Sequence, residues 1–436
     1  MSLQQIREHI ETAPMRPWQW MVVALGVLVN MLDGFDLLAA ALVAPILNRE
    51  WNLDPKLLGT LLGSSALGTF IGAFALSAIA DLWGRRTAIL INLALMSVGM
   101  LVSATADSVQ MLIAMRILTG MGVGAMAGCV GTLIFEYSAK RNRNLALGMV
   151  VIGYNVGVVL GGYFAQQFLG QYSWPSLFVL GGVLTLLLIP LIYFVMPESL
   201  EYLATRPKAG TLSQFNRYLR SLKLPQVDTL PAPSPRAVES SVLDLVRPPI
   251  LSRQLLMGAS YFLYMISSYF FMNWNNQLTT EAGYSDAQGR TVSILTSYGG
   301  IAGGVVIGWL SSKLPFRATA TITLIAMGFI IAAFGFAAGS FPFTLACSML
   351  IGFGIFGAAV VLYSTAAATF PPRVRATGIG LSMGAGRLGS FLGPFIAGLL
   401  LDAGLGRTMT CLLLAIPVVF SAFVLLRVPI TPLKDE

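Results

Sequence analysis

The sequence predicts an all-α membrane protein, with twelve transmembrane helices in two pseudo-symmetric six-helix bundles. Three observations lead there. The first is composition: 56% of the 436 residues are hydrophobic and 11% are charged, and the mean hydropathy is +0.76. Soluble globular chains carry about 25% charged residues. The second is twelve recurring apolar runs, near the ~20 residues that a bilayer-crossing helix needs. The third is a charged, proline-bearing interruption that divides the runs into six and six.

The runs cover about 18–47, 57–80, 87–106, 110–138, 144–168, 175–196, 253–280, 288–311, 317–338, 342–370, 374–401 and 408–427. The expected organisation is a tail at 1–17, a bundle at 18–196, a linker at 197–252, a bundle at 253–427 and a tail at 428–436. The linker is rich in Lys and Arg and contains Leu230-Pro-Ala-Pro-Ser-Pro235. Within it, 212–224 reads as a short amphipathic helix. The tail before Arg16 is polar and mixed in charge, with no signal peptide expected.

Orientation follows from the basic residues. One side of the membrane receives Arg7, Arg16, Arg85, Arg86, Lys140, Arg141, Arg143, the linker, Lys313, Arg317, Arg373, Arg375, Arg427 and Lys434. The other receives Arg49, Lys56, Arg290 and Arg407. Both termini are therefore expected in the cytoplasm. The net charge of +8 is scattered through short loops and forms no stripe for phosphates, so no nucleic-acid partner is expected. The one histidine, His9, lies in the tail, and Cys129, Cys347 and Cys411 stand far apart with no CxxC. Neither a metal, a disulfide framework nor a cofactor is expected. No nucleophile–base set suggests an enzyme.

Chemistry centres on Leu32-Asp33-Gly34-Phe35-Asp36-Leu37 in the first run. A spacing of three puts both acids on one helical face. A carboxylate inside hydrocarbon is costly, by ~2.5–3.5 kcal/mol on insertion scales, so both should look inward. The plainer reading is that an arginine neutralises each for packing. The sharper one is proton coupling, with Asp33 or Asp36 as carrier. Arg116 in the fourth run lies at a matching depth and serves as counter-charge.

Arg387 in the eleventh run has no deep acid within its own half. A guanidinium stays charged and fits a carboxylate bidentately, which points to an anionic substrate. The alternative is pairing across the halves with Asp33 or Asp36, or capping carbonyls. The seventh run is dense in polar groups, and Tyr269, Asn273 and Asn276 share a face at i, i+4, i+7. With Tyr154, Asn155, Tyr298 and Tyr363 they offer rings and amides to a planar ligand. Each tyrosine alone has packing as its plainer reading, and Tyr261 and Trp274 also read as interfacial anchors. The glycines at 120, 122, 124 and 128, and at 153, 157 and 161, read as close helix packing.

Several segments carry a family resemblance. Ser77-Ala-Ile-Ala-Asp81-Leu-Trp-Gly84-Arg85-Arg86 resembles the loop motif G-x-x-x-D-R/K-x-G-R-R of the major facilitator superfamily, departing at Ser77 and Leu82. Gly308 to Arg317 faintly repeats it in the second half. Arg116-Ile-Leu-Thr-Gly120-Met-Gly122-Val-Gly124, Pro197-Glu198-Ser199 and Arg373-Val-Arg375-Ala-Thr-Gly378 resemble further motifs of that superfamily. Asp33-Gly34-Phe35-Asp36 together with Gly386-Arg387-Leu-Gly389 is most similar to the aromatic acid:proton symporters. Val158 stands where drug:proton antiporters carry proline.

The resemblance implies a proton-coupled, alternating-access carrier in the plasma membrane. It would import a benzoate- or hydroxybenzoate-like carboxylate, with substrate, protons and bilayer as its partners and a monomer as its form. The alternatives are a porter for a sugar-like or non-aromatic acid solute, and an efflux carrier. It also implies a cytoplasmic gate of ion pairs among Asp81, Arg85, Arg86, Glu136, Arg143, Glu198, Arg373 and Arg375. The plainer reading of these is solvated loop charge.

Overall fold

The computed structural model describes residues 2–169, 171–207, 210–232, 250–311, 313–371 and 374–429. Twelve helices there are long and apolar enough to cross a bilayer. They are α1 (Pro17–Trp51), α2 (Pro55–Ala75), α3 (Arg85–Ser103), α4 (Val109–Tyr137), α5 (Arg143–Phe168), α6 (Pro175–Val195), α7 (Ile250–Glu281), α8 (Asp286–Ser311), α9 (Phe316–Gly335), α10 (Phe341–Thr369), α11 (Arg375–Asp402) and α12 (Gly406–Leu426). They follow the expected runs closely. The largest extension is α1, which continues through Pro45 to Trp51. Proline opens α1, α2 and α6, where its missing N–H removes no helical bond. The start of α1 and the end of α12 lie on one face, the termini face. The opposite one is the far face.

The two halves are built alike. In the first, α1 packs on α5 and α2 on α4; in the second, α7 packs on α11 and α8 on α10. Glycine makes each contact. A Cβ at Gly157 would strike the Met31 carbonyl, and one at Gly120 the Ser65 carbonyl. Gly393 meets the Ile266 carbonyl and Gly352 the Thr296 carbonyl in the corresponding places. Backbones touch directly, as small residues permit. Gly128 has open space around it instead.

Among the described residues, four short helices decorate the termini face: Leu3–Thr12, Ser77–Trp83, Leu200–Thr205 and Thr211–Ser221. The last is the expected amphipathic linker helix. Leu3–Thr12 begins with a capping box between Ser2 and Gln5, which satisfies two end donors reciprocally. Its Leu3, Ile6 and Ile10 share one buried cluster with Phe215 and Leu219 of the linker helix. Gly84 turns the chain into α3 at φ +101°, and a side chain there would meet the Glu198 carboxyl and the Tyr202 ring. Of the proline-rich stretch at 230–235, residues 233–235 lie outside the described residues.

Among the described residues, hydrogen bonds between the halves lie toward the far face. Arg49 Nη1 donates to Asp286 Oδ1 at 3.1 Å and its Nη2 to Oδ2 at 2.5 Å. Gln166 Nε2 donates to Thr291 Oγ1 at 3.2 Å. Asn276 Nδ2 reaches the carbonyls of Ala41 and Leu42 at 3.0 and 3.1 Å. The Tyr163 and Tyr298 hydroxyls meet at 3.2 Å.

Candidate functional site

The two acids of α1 have different surroundings. Asp36 is sealed with Arg116, and both side chains are fully buried. One guanidinium nitrogen of Arg116 pairs with Asp36 Oδ1. Its Nη1 donates to the Asp36 carbonyl at 2.9 Å, and Nη2 to Thr119 Oγ1 at 2.5 Å. The Phe178 ring lies 5.3 Å from the guanidinium carbon. Asp33, one turn away, is 3% exposed and its Oδ1 is buried without a partner. The charges of Asp36 and Arg387 both act on it.

Gly34 explains why α5 supplies the neighbouring groups. A Cβ at Gly34 would overlap the Tyr154 carbonyl, so only glycine lets α5 lie this close. Tyr154 and Asn155 are thereby held beside the acids. The Tyr154 hydroxyl is buried without a partner, and it senses Tyr269, Arg387, Asp33 and Asp36. Its ring is 6.3 Å from that of Phe356 across the seam. Asn155 is buried with an unpartnered Oδ1. Arg387 is half-buried, and none of the described ion pairs includes it. Among the described residues, the second half therefore brings a cation outside the ion pairs to a seam where the first half brings a carboxyl and a phenol with unpartnered oxygens.

Other expected residues sit elsewhere. Asn273 donates to the Tyr269 carbonyl of its own helix at 2.9 Å. Asn276 bridges to α1 toward the far face, and Tyr298 joins Tyr163 in an exposed pair. Tyr363 is half exposed, within electrostatic reach of Tyr261. Tyr261 and Trp274 are not membrane-interface anchors: they are 2% and 0% exposed, and the Trp274 indole donates to the Pro394 carbonyl at 3.0 Å. Burial on α7 follows from packing against α11 and α12, a partner choice that helical periodicity does not reveal.

The termini-face charges find partners inside their own halves. Arg143 pairs with Glu11 at 2.9 Å. Arg86 donates from Nη2 to the Tyr193 carbonyl and from its backbone to Glu198 Oε1 at 3.1 Å. Glu136 is within electrostatic reach of Arg85. Arg375 Nε donates to the Phe370 carbonyl at 3.3 Å. Burial pushes the Glu198 carboxyl up from its ordinary value. The side chain of Asp81 and the whole of Arg373 lie outside the described residues. Sequence reading gave Arg49 and Asp286 no role beyond topology. The signal was there: opposite charges on facing helix ends, one in each half.

The paired bundles and the motif residues agree with a wider comparison. A family model described as Major Facilitator Superfamily matches residues 23–272 and 257–436. The chain belongs to the major facilitator superfamily. As a superfamily member it is a multi-pass membrane transporter. It is 29% identical over 435 residues to the 4-hydroxybenzoate transporter PcaK of Pseudomonas aeruginosa, covering 97% of this chain and 95% of that one. It is 26% identical to the benzoate transport protein of Acinetobacter baylyi, over 99% and 96% of the two chains. The fold is also that of a solved D-xylose-proton symporter, with TM-score 0.72 at 16% identity over 94% and 97% of the chains. Among the described residues no cluster of three or more His, Cys, Asp or Glu could hold a metal.

Proposed function

We propose that this superfamily member imports a small aromatic carboxylate, of the benzoate and hydroxybenzoate class, together with protons by alternating access. Both termini are cytoplasmic in this reading, and the basic excess on the termini face supports that. The observation that carries the proposal is the juxtaposition of unpaired Arg387, unpaired Asp33 and the free Tyr154 hydroxyl in the seam. Arg387 binds the substrate carboxylate, and a guanidinium does this bidentately. Tyr154, Tyr269 and Asn155 supply ring faces and polar atoms for a planar ring. The names of the relatives add support for the substrate class.

Asp33 carries the proton in this scheme because taking up or releasing one breaks no existing contact. Asp36 would first have to leave Arg116. One proton per monoanion is electrically neutral, and a second adds ~2.3 kcal/mol per 100 mV. The termini-face charges pair between the halves only when that side closes.

The test is uptake of radiolabelled 4-hydroxybenzoate into proteoliposomes under an inward proton gradient, with benzoate, glucose and succinate as competitors. Accumulation displaced only by the aromatic acid is the expected result. Accumulation of glucose or succinate instead sinks the substrate class. Asp33→Asn should abolish uphill accumulation while keeping downhill exchange. Normal accumulation by that variant would remove Asp33 from the proton path. Asp36→Asn strands the Arg116 charge and should cost about 3–5 kcal/mol of stability, read as lost thermal stability in detergent.

A further inference from the structure

A cleft of about 380 Å³ lies on the termini face, remote from Arg387, and is bordered by Trp18, Arg86, Tyr193, Phe194, Gln214 and Arg217 among others. Its walls are the first turns of α1 and α3, the last turn of α6, and the helix Thr211–Ser221. Two arginines line it, and among the described residues no acid does. Arg86 is held by a carbonyl and by the Tyr193 ring, 5.0 Å from its guanidinium carbon, and its Nε is buried without a partner. The exposed Arg217 is in none of the described ion pairs. A second cleft, of about 300 Å³, adjoins it at Arg86 and adds Arg206. The acid there, Glu198, already accepts the backbone N–H groups of Ser199 and Arg86 at 2.9 and 3.1 Å.

The surroundings indicate what the cations serve. Leu187, Leu191 and Phe194 on α6 are 64%, 42% and 80% exposed. Their spacing of four and three makes one apolar stripe. On a spanning helix that stripe faces acyl chains, and it ends at the cleft. A basic pocket at the membrane border, continuous with an apolar track, matches a phosphate joined to hydrocarbon rather than a free anion.

We propose that this cleft binds the phosphate of an anionic phospholipid from the termini-face leaflet, with Arg86 and Arg217 as its cationic contacts. The headgroup would bridge α3 and α6 to the linker helix and so fasten the linker to the first bundle. Ser213, Gln214 and Ser221, which also line the cleft, supply hydrogen bonds to the remaining oxygens.

The experiment uses purified full-length protein in detergent. Native mass spectrometry counts retained lipid during titration with phosphatidylglycerol, phosphatidylcholine or inorganic phosphate. Phosphatidylglycerol should be retained in preference to phosphatidylcholine. Arg217→Gln should weaken it about fivefold, the usual contribution of one basic residue near an anionic lipid surface. Arg220→Gln, on the same helix but outside both clefts, should leave retention unchanged. Because Arg217 is exposed, its replacement should leave the fold intact even where Arg86→Gln does not. Equal retention of both lipids, or no effect of Arg217→Gln, overturns the site. Displacement of the lipid by inorganic phosphate at equal concentration assigns the cleft to a soluble anion and overturns the lipid proposal.

Discussion

The seam between the halves differs at its two ends. Toward the far face, side chains and backbones of opposite halves meet directly. Arg49 pairs with Asp286, Asn276 with two carbonyls of α1, and Gln166 with Thr291. A Cβ at Gly59 would stand 2.6 Å from the Pro394 carbonyl oxygen. On the termini face the same kinds of group turn back into their own half: Arg143 to Glu11, Arg253 to the Thr369 carbonyl, Arg375 to the Phe370 carbonyl. Charged residues thus distinguish a latched end from an unlatched one. The group around Arg387 sits between them, and the described hydrogen bonds between the halves all lie on its far-face side.

The sharpest way to break that contrast is to wedge the latched end. At Gly398 a side chain meets the Pro55 carbonyl, with the Gly59 and Lys56 Cα atoms at 3.1 and 3.2 Å. Overpacking of this kind costs about 1–3 kcal/mol, enough to shift two conformations by roughly 5- to 150-fold. Gly398→Leu should therefore lengthen the distance between spin labels at Lys56 and Ala403, measured by pulsed electron resonance. An unchanged distance in folded protein would mean that the far-face contacts do not set the state. A smaller shift is expected from Asn276→Ala, which removes two buried bonds worth about 0.5–1.5 kcal/mol each. The same labels should report it.

The smallest effects compare two surface ion pairs. Asp286→Asn and Glu11→Gln should each change thermal stability by only about 0–1 kcal/mol. Only Asp286→Asn should move the spin-label distance, because only its pair crosses the seam. Glu11 adds a pH test. Arg143 holds its carboxyl below the ordinary 4.5. Its contribution is present above that value and fades as pH falls through the lower, folded one. Glu11→Gln should flatten that part of a melting-temperature profile, and a profile unchanged from the parent's would remove the pair from the account.

Much of this was legible in the sequence. The runs and the matching depths of Asp36 and Arg116 required only counting along helices. The division of labour between Asp33 and Asp36 did not follow, because both lie on one face and only the reach of Arg116 separates them. Tyr298 and Asn276 were read as lining a central site because they are polar and well spaced. Periodicity gives a shared face, not the neighbour that the face meets. The docked helix at Leu3–Thr12 carried its own signals, a Ser2-x-x-Gln5 box and Leu3, Ile6 and Ile10 at helical spacing. Its polar average concealed them.

The glycine contacts within each half invert an ordinary rule of substitution. In a solvent-exposed helix, alanine in place of glycine is gentle and usually stabilising. At Gly34, Gly157 or Gly393 the added methyl falls on the backbone of another helix, which no rotamer change can move aside. Tolerance in this chain should therefore track interhelical clearance more than hydrophobicity. The smallest possible side chain becomes one of the most disruptive changes, while a bulky residue on the exposed stripe of α6 passes unnoticed.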